Sequence, residues 1–368
     1  MKIGIVSMHR VKNNGSFLQG YALYNQLKAY GHEVRFIDFE DEIHKDLPIR
    51  KQPLLKCFLK TLKGVLNKSY RRQLQTNKCR DEFNNRYNEF LKHVDLTPKL
   101  NLHNGEEFDL LVIGSDEVFN ICQYSSQNKD IPWELFGEGI NAKKIITYAA
   151  SCGQTDVKKI QELSLTEKCK NLLSKFSAIS VRDDNTFNFV SELTDITPIY
   201  NIDPVLWQKD FPKEEDYKKL NKKYLLVYAY TMRMNGKAEQ DAIKAYAKKH
   251  NLKTVCVNCY QPWCDIKITT SPFNLLQYIK DAECVITDTF HGTVFSIRNN
   301  TRFITIVRDS NKNKLRSLLK QFSLSDREVL DLEKLEETLD VEIDFKPVND
   351  ILDKERKASI EYIEKFVG

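Results

Sequence analysis

Two Rossmann-type α/β domains facing a cleft are the fold the sequence predicts, and three observations carry the prediction. The chain opens on strand, helix, strand: KIGIVS at 2–7, the helical segment FLQGYALYNQLKAYG, then HEVRFIDF. That is the βαβ unit of a parallel sheet, whose ligand face lies at the carboxyl ends of the strands. The same alternation restarts at YLLVYAY, residues 224–230, after the charged stretch QKDFPKEEDYKKLNKK at 208–223. At 368 residues the chain is long enough for two separate cores.

Composition narrows the function classes. With 41% hydrophobic and 29% charged residues the chain is of ordinary soluble type. No apolar run approaches a membrane span, and MKIGIVSMHR reads as the start of a strand rather than a signal peptide, so a cytoplasmic location is expected. The net charge of +5 makes no case for nucleic acid. Nine cysteines, an odd number, are scattered and often inside apolar strands, as reduced buried thiols are. Cys256, Cys259 and Cys264 come nearest to a metal pattern, but no histidine or second CxxC completes a set, and no metal is expected.

Each element follows from local pattern. In the first helix Phe17, Ala22, Leu23 and Leu27 recur at helical spacing after the turn Asn13–Ser16, and Gly31 ends it. The opening unit lacks GxGxxG, so no nicotinamide or flavin cofactor is indicated. Residues 47–80 contain no Asp or Glu, but carry Lys56, Lys60, Lys63 and other cations beside an apolar face including Leu55, Phe58 and Leu62. Such a basic amphipathic helix suits an anionic membrane surface, and equally suits an insertion packing that face on its own domain. A second helix is expected at 80–93, making a helical insertion over about 47–93.

Alternation then resumes. Strands are expected within 108–120, 143–153 and 176–184, a helix at 158–175, and a boundary at Asp203-Pro204. The first domain is thus 1–207, on the acceptor side, and 208–223 the linker. The second domain, 224–345, carries helices at 237–249 and 272–281, the latter capped by Ser271 with Pro272 at its first position. It continues with strand RFITIV and helix LRSLLKQFSL, ending near Asp326-Arg327. Residues 346–368 form a final amphipathic helix placed to cross back. Two such halves make a GT-B-like pair of domains.

The stretch ECVITDTFHGTVFSI, residues 283–297, organises the second half. Strand CVIT breaks at Asp288, His291 and Gly292 follow, and a helix is expected from Thr293. Such a corner holds anions through unpaired N–H groups and the helix dipole, and a histidine there can move a proton near neutral pH. In isolation it reads first as a β–α corner with a surface histidine. Polar residues at other strand ends, Asn13–Ser16, Ser115–Asp116, Ser151–Gly153 and Arg182, converge on the same cleft and together mark a ligand site.

In NNGSFLQGYAL, DLLVIGSDEVFN, YAASCG, ISVRDD, IDPVLW, VITDTFHGTVFSI and NKNKLRSLLKQFSLSDR, the chain resembles the polysaccharide pyruvyl transferase family. These pieces run in the family's order through most of the sequence outside the basic insertion. The resemblance implies transfer of pyruvate from phosphoenolpyruvate to a sugar of a bacterial surface or capsular glycan precursor, free or lipid-linked, closing a cyclic ketal. It makes His291 the proton donor and Arg182 the first contact for the donor's anionic groups, with the backbone N–H groups of Gly292 and Thr293 for phosphate. Thr289, Lys314 and Arg316 complete the donor side. Asp116 is a candidate base or orienting group for the acceptor hydroxyl, or else a cap of the following turn. Asn13, Asn14, Ser16, Gln19, Ser115, Glu117, Phe119 and Ser151 form the acceptor side. The chain departs from the family pattern at Thr289, where some members have arginine, so that a donor contact is absent or supplied elsewhere. It also departs at Glu117 and Phe119, and at Lys314, where arginine is common. A nucleotide-sugar glycosyltransferase and a silent sugar-binding protein are the rivals; tighter binding of a nucleotide than of phosphoenolpyruvate, or saccharide binding without turnover, would favour them.

Overall fold

In the computed structural model, residues 1–39, 68–98, 106–230, 233–258 and 260–368 are described. Among them, strands β1 (Lys2–Val6), β2 (Glu33–Phe36), β3 (Leu110–Asp116), β4 (Ile145–Ala150), β5 (Ser180–Val181) and β6 (Ile199–Tyr200) form one sheet in the order β2-β1-β3-β4-β5-β6. The second sheet comprises β7 (Tyr224–Tyr228), β8 (Lys253–Val257), β9 (Ile266–Ile268), β10 (Cys284–Thr287), β11 (Phe303–Ile306) and β12 (Glu328–Val329). Its order is β12-β11-β10-β7-β8-β9. Every strand pair is parallel. Helices cover both faces of such sheets, which is why β3 and β10 are buried at every residue and read as apolar runs. The protein therefore consists of two Rossmann-like domains.

Read from β9, the second sheet has the doubly wound order 3-2-1-4-5-6. Its strand order reverses between β7 and β10; that of the first sheet reverses between β1 and β3. Ligands of such sheets sit beyond the carboxyl ends at these switch points. Here those ends are Ser7 and Asp116 on one side and Tyr228 and Asp288 on the other. An apolar seam joins the domains, with the Phe273 ring 5.5 Å from Phe17 and 4.9 Å from Tyr21.

The helix Asn14–Ala29 starts where the Asn13 side chain accepts from the N–H groups of Gly15 and Ser16. Helices Lys237–Lys249 and Pro272–Lys280 occupy the segments their patterns mark, the second capped by Ser271. The expected helix over 158–175 is two, Val157–Glu162 and Thr166–Leu173. Ser164 adopts φ 57°, and Leu165 N–H donates to the Ile160 carbonyl, a Schellman ending that a serine conceals from pattern reading. Ser323 does the same, so the helix expected to reach Asp326-Arg327 stops at Gln321. The strand expected within 176–184 shrinks to Ser180–Val181.

One helix, Lys68–Phe90, followed by a 3-10 turn at Leu91–His93, replaces the expected break near residue 80. Its Phe83, Tyr87 and Phe90 are buried and cluster with Phe17. Most of the basic stretch, Lys56, Lys60 and Lys63 included, lies outside the described residues, as does Cys259. No described helix is long and apolar enough to cross a membrane. The terminal helix Phe345–Val367 lies across both domains. Glu355 accepts from Gln321 of the second domain at 3.0 Å, while Tyr362 donates to the Thr147 carbonyl at 2.9 Å and the Val367 carbonyl lies 2.8 Å from His32 Nε2 in the first.

Candidate active site

The second domain's side of the cleft begins at Asp288, where β10 ends. Thr289 is the N-cap of the helix Phe290–Arg298, its hydroxyl accepting from the Gly292 N–H at 2.9 Å. The helix therefore starts three residues earlier than its pattern suggests, and His291 and Gly292 lie in its first turn. This corrects the anion-site expectation. The Gly292 N–H is taken by Thr289 Oγ1, and the Thr293 N–H donates to the Thr289 carbonyl at 3.2 Å. The Thr293 hydroxyl also bonds Thr289 O and Thr305 Oγ1, in full burial. A helix N-terminus capped by its own threonine has no N–H in reserve at these positions for phosphate.

His291 projects across the domain boundary. Its Nε2 lies 3.5 Å from Asp203 Oδ2, an ion-pair distance that lacks the geometry of a hydrogen bond. On its other side is Gly15 of the first domain: a β-carbon there would lie 2.1 Å from His291 Nδ1. Asp203 caps the short helix Pro204–Trp207 through the Val205 N–H at 3.0 Å, and its other oxygen accepts from Arg182 NH1 at 3.1 Å. Arg182 also reaches Asp116 Oδ1 at 3.3 Å and Ser115 Oγ at 3.3 Å, and its guanidinium lies 4.3 Å from the Phe290 ring centre. The Ser16 hydroxyl donates to Asp116 Oδ2 at 2.6 Å. The sequence thus runs as a chain of charge, Asp116, Arg182, Asp203, His291, through both domains.

Burial would raise the Asp116 carboxyl, but Arg182, His291, the Ser16 hydroxyl and Lys314 together lower it to about 2. It is ionised at neutral pH and a poor base. Its Oδ1 also accepts the Glu117 N–H at 2.9 Å, the turn-capping contact expected as an alternative. Asp116 adopts φ 85°, a left-handed conformation that aspartate tolerates better than most residues. Arg182 is not presented to the cleft as an anion contact: its side chain is 2% exposed and paired with two carboxylates.

The other expected residues divide. Asn14 joins the domains, donating to Tyr228 OH at 3.3 Å and accepting from Asn258 at 2.9 Å. Gln19 is buried and donates to Ser7 Oγ and the Ser16 carbonyl, each at 2.9 Å. Ser151 is buried and accepts the Gly153 N–H. Lys314 pairs with Glu117 across the domains; burial opposes both charges, yet the pair lowers the glutamate and raises the lysine. Arg316 is half-exposed and bound to Glu328, so Lys314 and not Arg316 is the cation of that helix turned to the site. Phe119 is no acceptor platform. It is fully buried, 4.7 Å from the Phe136 ring, because the bend after Asp116 turns it into the core.

A cleft of about 190 Å³ opens onto His291. Its walls are Lys12, Asn13 and Asn14 of the first domain, Arg80, Phe83 and Asn84 of the long helix, and Tyr228, Tyr230, Asn258, Tyr260 and Thr289 of the second domain. No carboxylate is among these lining residues, and the aromatic and amide groups suit a sugar beside an anion. Asp203, Arg80 and Tyr230 are functional candidates that sequence reasoning missed. Asp203 and Tyr230 had a signal, since each ends a strand segment at the carboxyl side; Arg80 had none, because its place depends on how the long helix docks.

A family model described as polysaccharide pyruvyl transferase matches residues 13–310. No curated protein sequence matches the chain. Among solved structures, the glycotransferase of kitacinnamycin is similar with TM-score 0.51 at 10% identity, covering 100% of this chain and 99% of that one. The spinosyn rhamnosyltransferase SpnG gives 0.50 at 11%, covering 100% and 99%. UDP-GlcNAc 2-epimerase from Methanocaldococcus jannaschii gives 0.50 at 12%, covering 99% and 100%. At such identities the likeness is one of fold, the two-domain GT-B arrangement.

Proposed function

The chain belongs to the polysaccharide pyruvyl transferase family, and on that premise we propose that it moves the pyruvyl group of phosphoenolpyruvate onto two hydroxyls of a sugar in a surface or capsular glycan precursor. The observation that supports this reading best is the buried series Asp116, Arg182, Asp203, His291, ending at a cleft whose lining residues include two cations and no carboxylate.

The chemistry asks for an acid at one carbon. His291 gives a proton to the methylene carbon, which becomes a methyl group, and the adjacent carbon becomes oxocarbenium-like. One sugar hydroxyl attacks that carbon; phosphate then leaves as its C–O bond breaks, and the second hydroxyl closes the ketal. Two hydroxyl protons are lost, one replacing the proton given by His291 and one leaving with inorganic phosphate. Asp203 lies beside Nε2 and Gly15 against Nδ1, so the ring is held between two residues of the first domain. Asp116 orients the Ser16 hydroxyl rather than taking a proton, because its carboxyl is held near 2.

The test is direct. Incubation with phosphoenolpyruvate and galactose-containing saccharides, free and lipid-linked, is expected to release inorganic phosphate and add a pyruvate ketal visible by mass spectrometry. Phosphate release by the wild type and its loss in His291→Ala would support the reading. No release across the acceptor panel would sink it.

A further inference from the structure

Among the described residues, the cations around the His291 turn are not all held alike. Arg182 is paired with Asp116 and Asp203, and Lys314 with Glu117. Arg308 gives Nε to Asp288 Oδ2 at 2.6 Å and NH2 to Glu239 at 2.7 Å. Arg233, in the loop after β7, differs. Its NH1 donates to the Asp288 carbonyl at 3.4 Å and its NH2 to the Ser310 hydroxyl at 3.0 Å, both neutral acceptors. Its nearest carboxylate oxygen, Asp288 Oδ2, is 4.0 Å away and already takes Arg308. Among the described residues, no carboxylate hydrogen-bonds to this guanidinium.

Its surroundings hold it in place without a carboxylate hydrogen bond among the described residues. The guanidinium lies 5.1 Å from the ring centre of Tyr230, a residue of the cleft wall, and the side chain is 27% exposed. Stacking on an aromatic ring and two hydrogen bonds to fixed acceptors orient the planar fork in advance. The carbonyl it grips belongs to Asp288, the residue that begins the turn carrying His291. The loop lies at the carboxyl end of β7, one side of the second sheet's switch point, where doubly wound sheets bind ligands.

The interior of the site needs such a cation. Two carboxylates share Arg182 beside His291, so that guanidinium is already engaged before any ligand enters. An enol-phosphate carrying a carboxylate brings several more negative charges, and Gly292 and Thr293 have no N–H to offer it. We propose that Arg233 binds an anionic group of this donor and holds it against the His291 turn. The inference rests on the donor class assigned under Proposed function.

The experiment is titration calorimetry of phosphoenolpyruvate into the full chain without acceptor, for wild type, Arg233→Lys and Arg233→Ala. Losing a charge-assisted, bidentate contact is expected to weaken binding about 10- to 100-fold in Arg233→Ala, with Arg233→Lys between the two. In turnover, the donor KM is expected to rise by a similar factor while the acceptor KM stays put, and added methylguanidinium is expected to restore part of the loss. Thermal melts check folding, and the lysine variant carries the test if the alanine variant is unstable. Wild-type binding equalled by both variants would overturn the inference and leave the donor class standing. Failure of the wild type to bind phosphoenolpyruvate would overturn both.

Discussion

Gly15→Ala separates stability from activity, because the added methyl group meets the proposed proton donor. The new carbon would lie 2.1 Å from His291 Nδ1, 2.2 Å from Cγ and 2.7 Å from Cβ. Ordinary contacts of this kind are about 3.5 Å or more, so the ring must retreat by roughly 1 Å or the domains must part. The ring has little room: it is 7% exposed, with the Phe290 and Phe295 rings 5.4 and 5.9 Å away. Overpacking of this kind costs about 1–3 kcal/mol. Gly15 sits in the first turn of a helix, where alanine recovers about 0.5–1 kcal/mol of backbone entropy. The net loss of stability is thus about 0–2.5 kcal/mol, and the protein is expected to remain folded. A displacement of about 1 Å in a catalytic group costs on the order of 100-fold in rate. Phosphate release from phosphoenolpyruvate, followed with a coupled assay beside a urea melt, is expected to show that fall in kcat. A Gly15→Ala enzyme with wild-type kcat would refute the argument that His291 works in this position.

Three further outcomes are expected. Asp203→Asn keeps the shape but leaves Arg182 with a single carboxylate and His291 with none; a stability loss of about 3 kcal/mol by urea unfolding is expected, with activity falling more than the shared fold defect explains, and near-normal turnover would contradict the proposed role. Asp116 is held down to about 2 from an ordinary carboxylate value, so its contribution of about 2 kcal/mol is present above pH 4 and disappears as the pH falls toward 2; the stability gap between wild type and Asp116→Asn should be constant from pH 5 to 8 and close below 4, and a gap that widens in acid would show the sign to be wrong. For the basic stretch, sedimentation with anionic liposomes that weakens as salt rises and vanishes in a Lys56, Lys60, Lys63 to glutamate variant is expected of a membrane-surface helix, whereas sedimentation unaffected by that variant would exclude this role.

The sequence disclosed what local pattern can disclose. Buried parallel strands such as LLVIGSD and CVIT are apolar on both faces and announce themselves, and the helix at Lys237–Lys249 carries its amphipathic period in full. Helix ends at Ser164 and Ser323 were hidden because serine rarely takes the left-handed conformation found there. The edge strands β6, β9 and β12 are two or three residues long, too short for a period. In the site, His291 and Asp116 were legible as polar residues beyond apolar strands. Their partners were not: Asp203 looked like a turn residue, since contacts spanning the two domains leave no mark on neighbouring positions. Phe119 misled for the same reason, lying beside polar site residues in sequence while its ring turns inward.

The terminal helix has a mechanical consequence. The chain passes between domains once through 208–223 and again along the helix Phe345–Val367, which grips both bodies, at Gln321 through Glu355 and at Thr147 through Tyr362. Any opening of the cleft that keeps both connections is a swing of one body against the other. Such a swing carries His291 away from Gly15 and separates Lys314 from Glu117 in a single stroke. A ligand too large for the closed cleft is then admitted only with the His291–Gly15 and Lys314–Glu117 contacts broken.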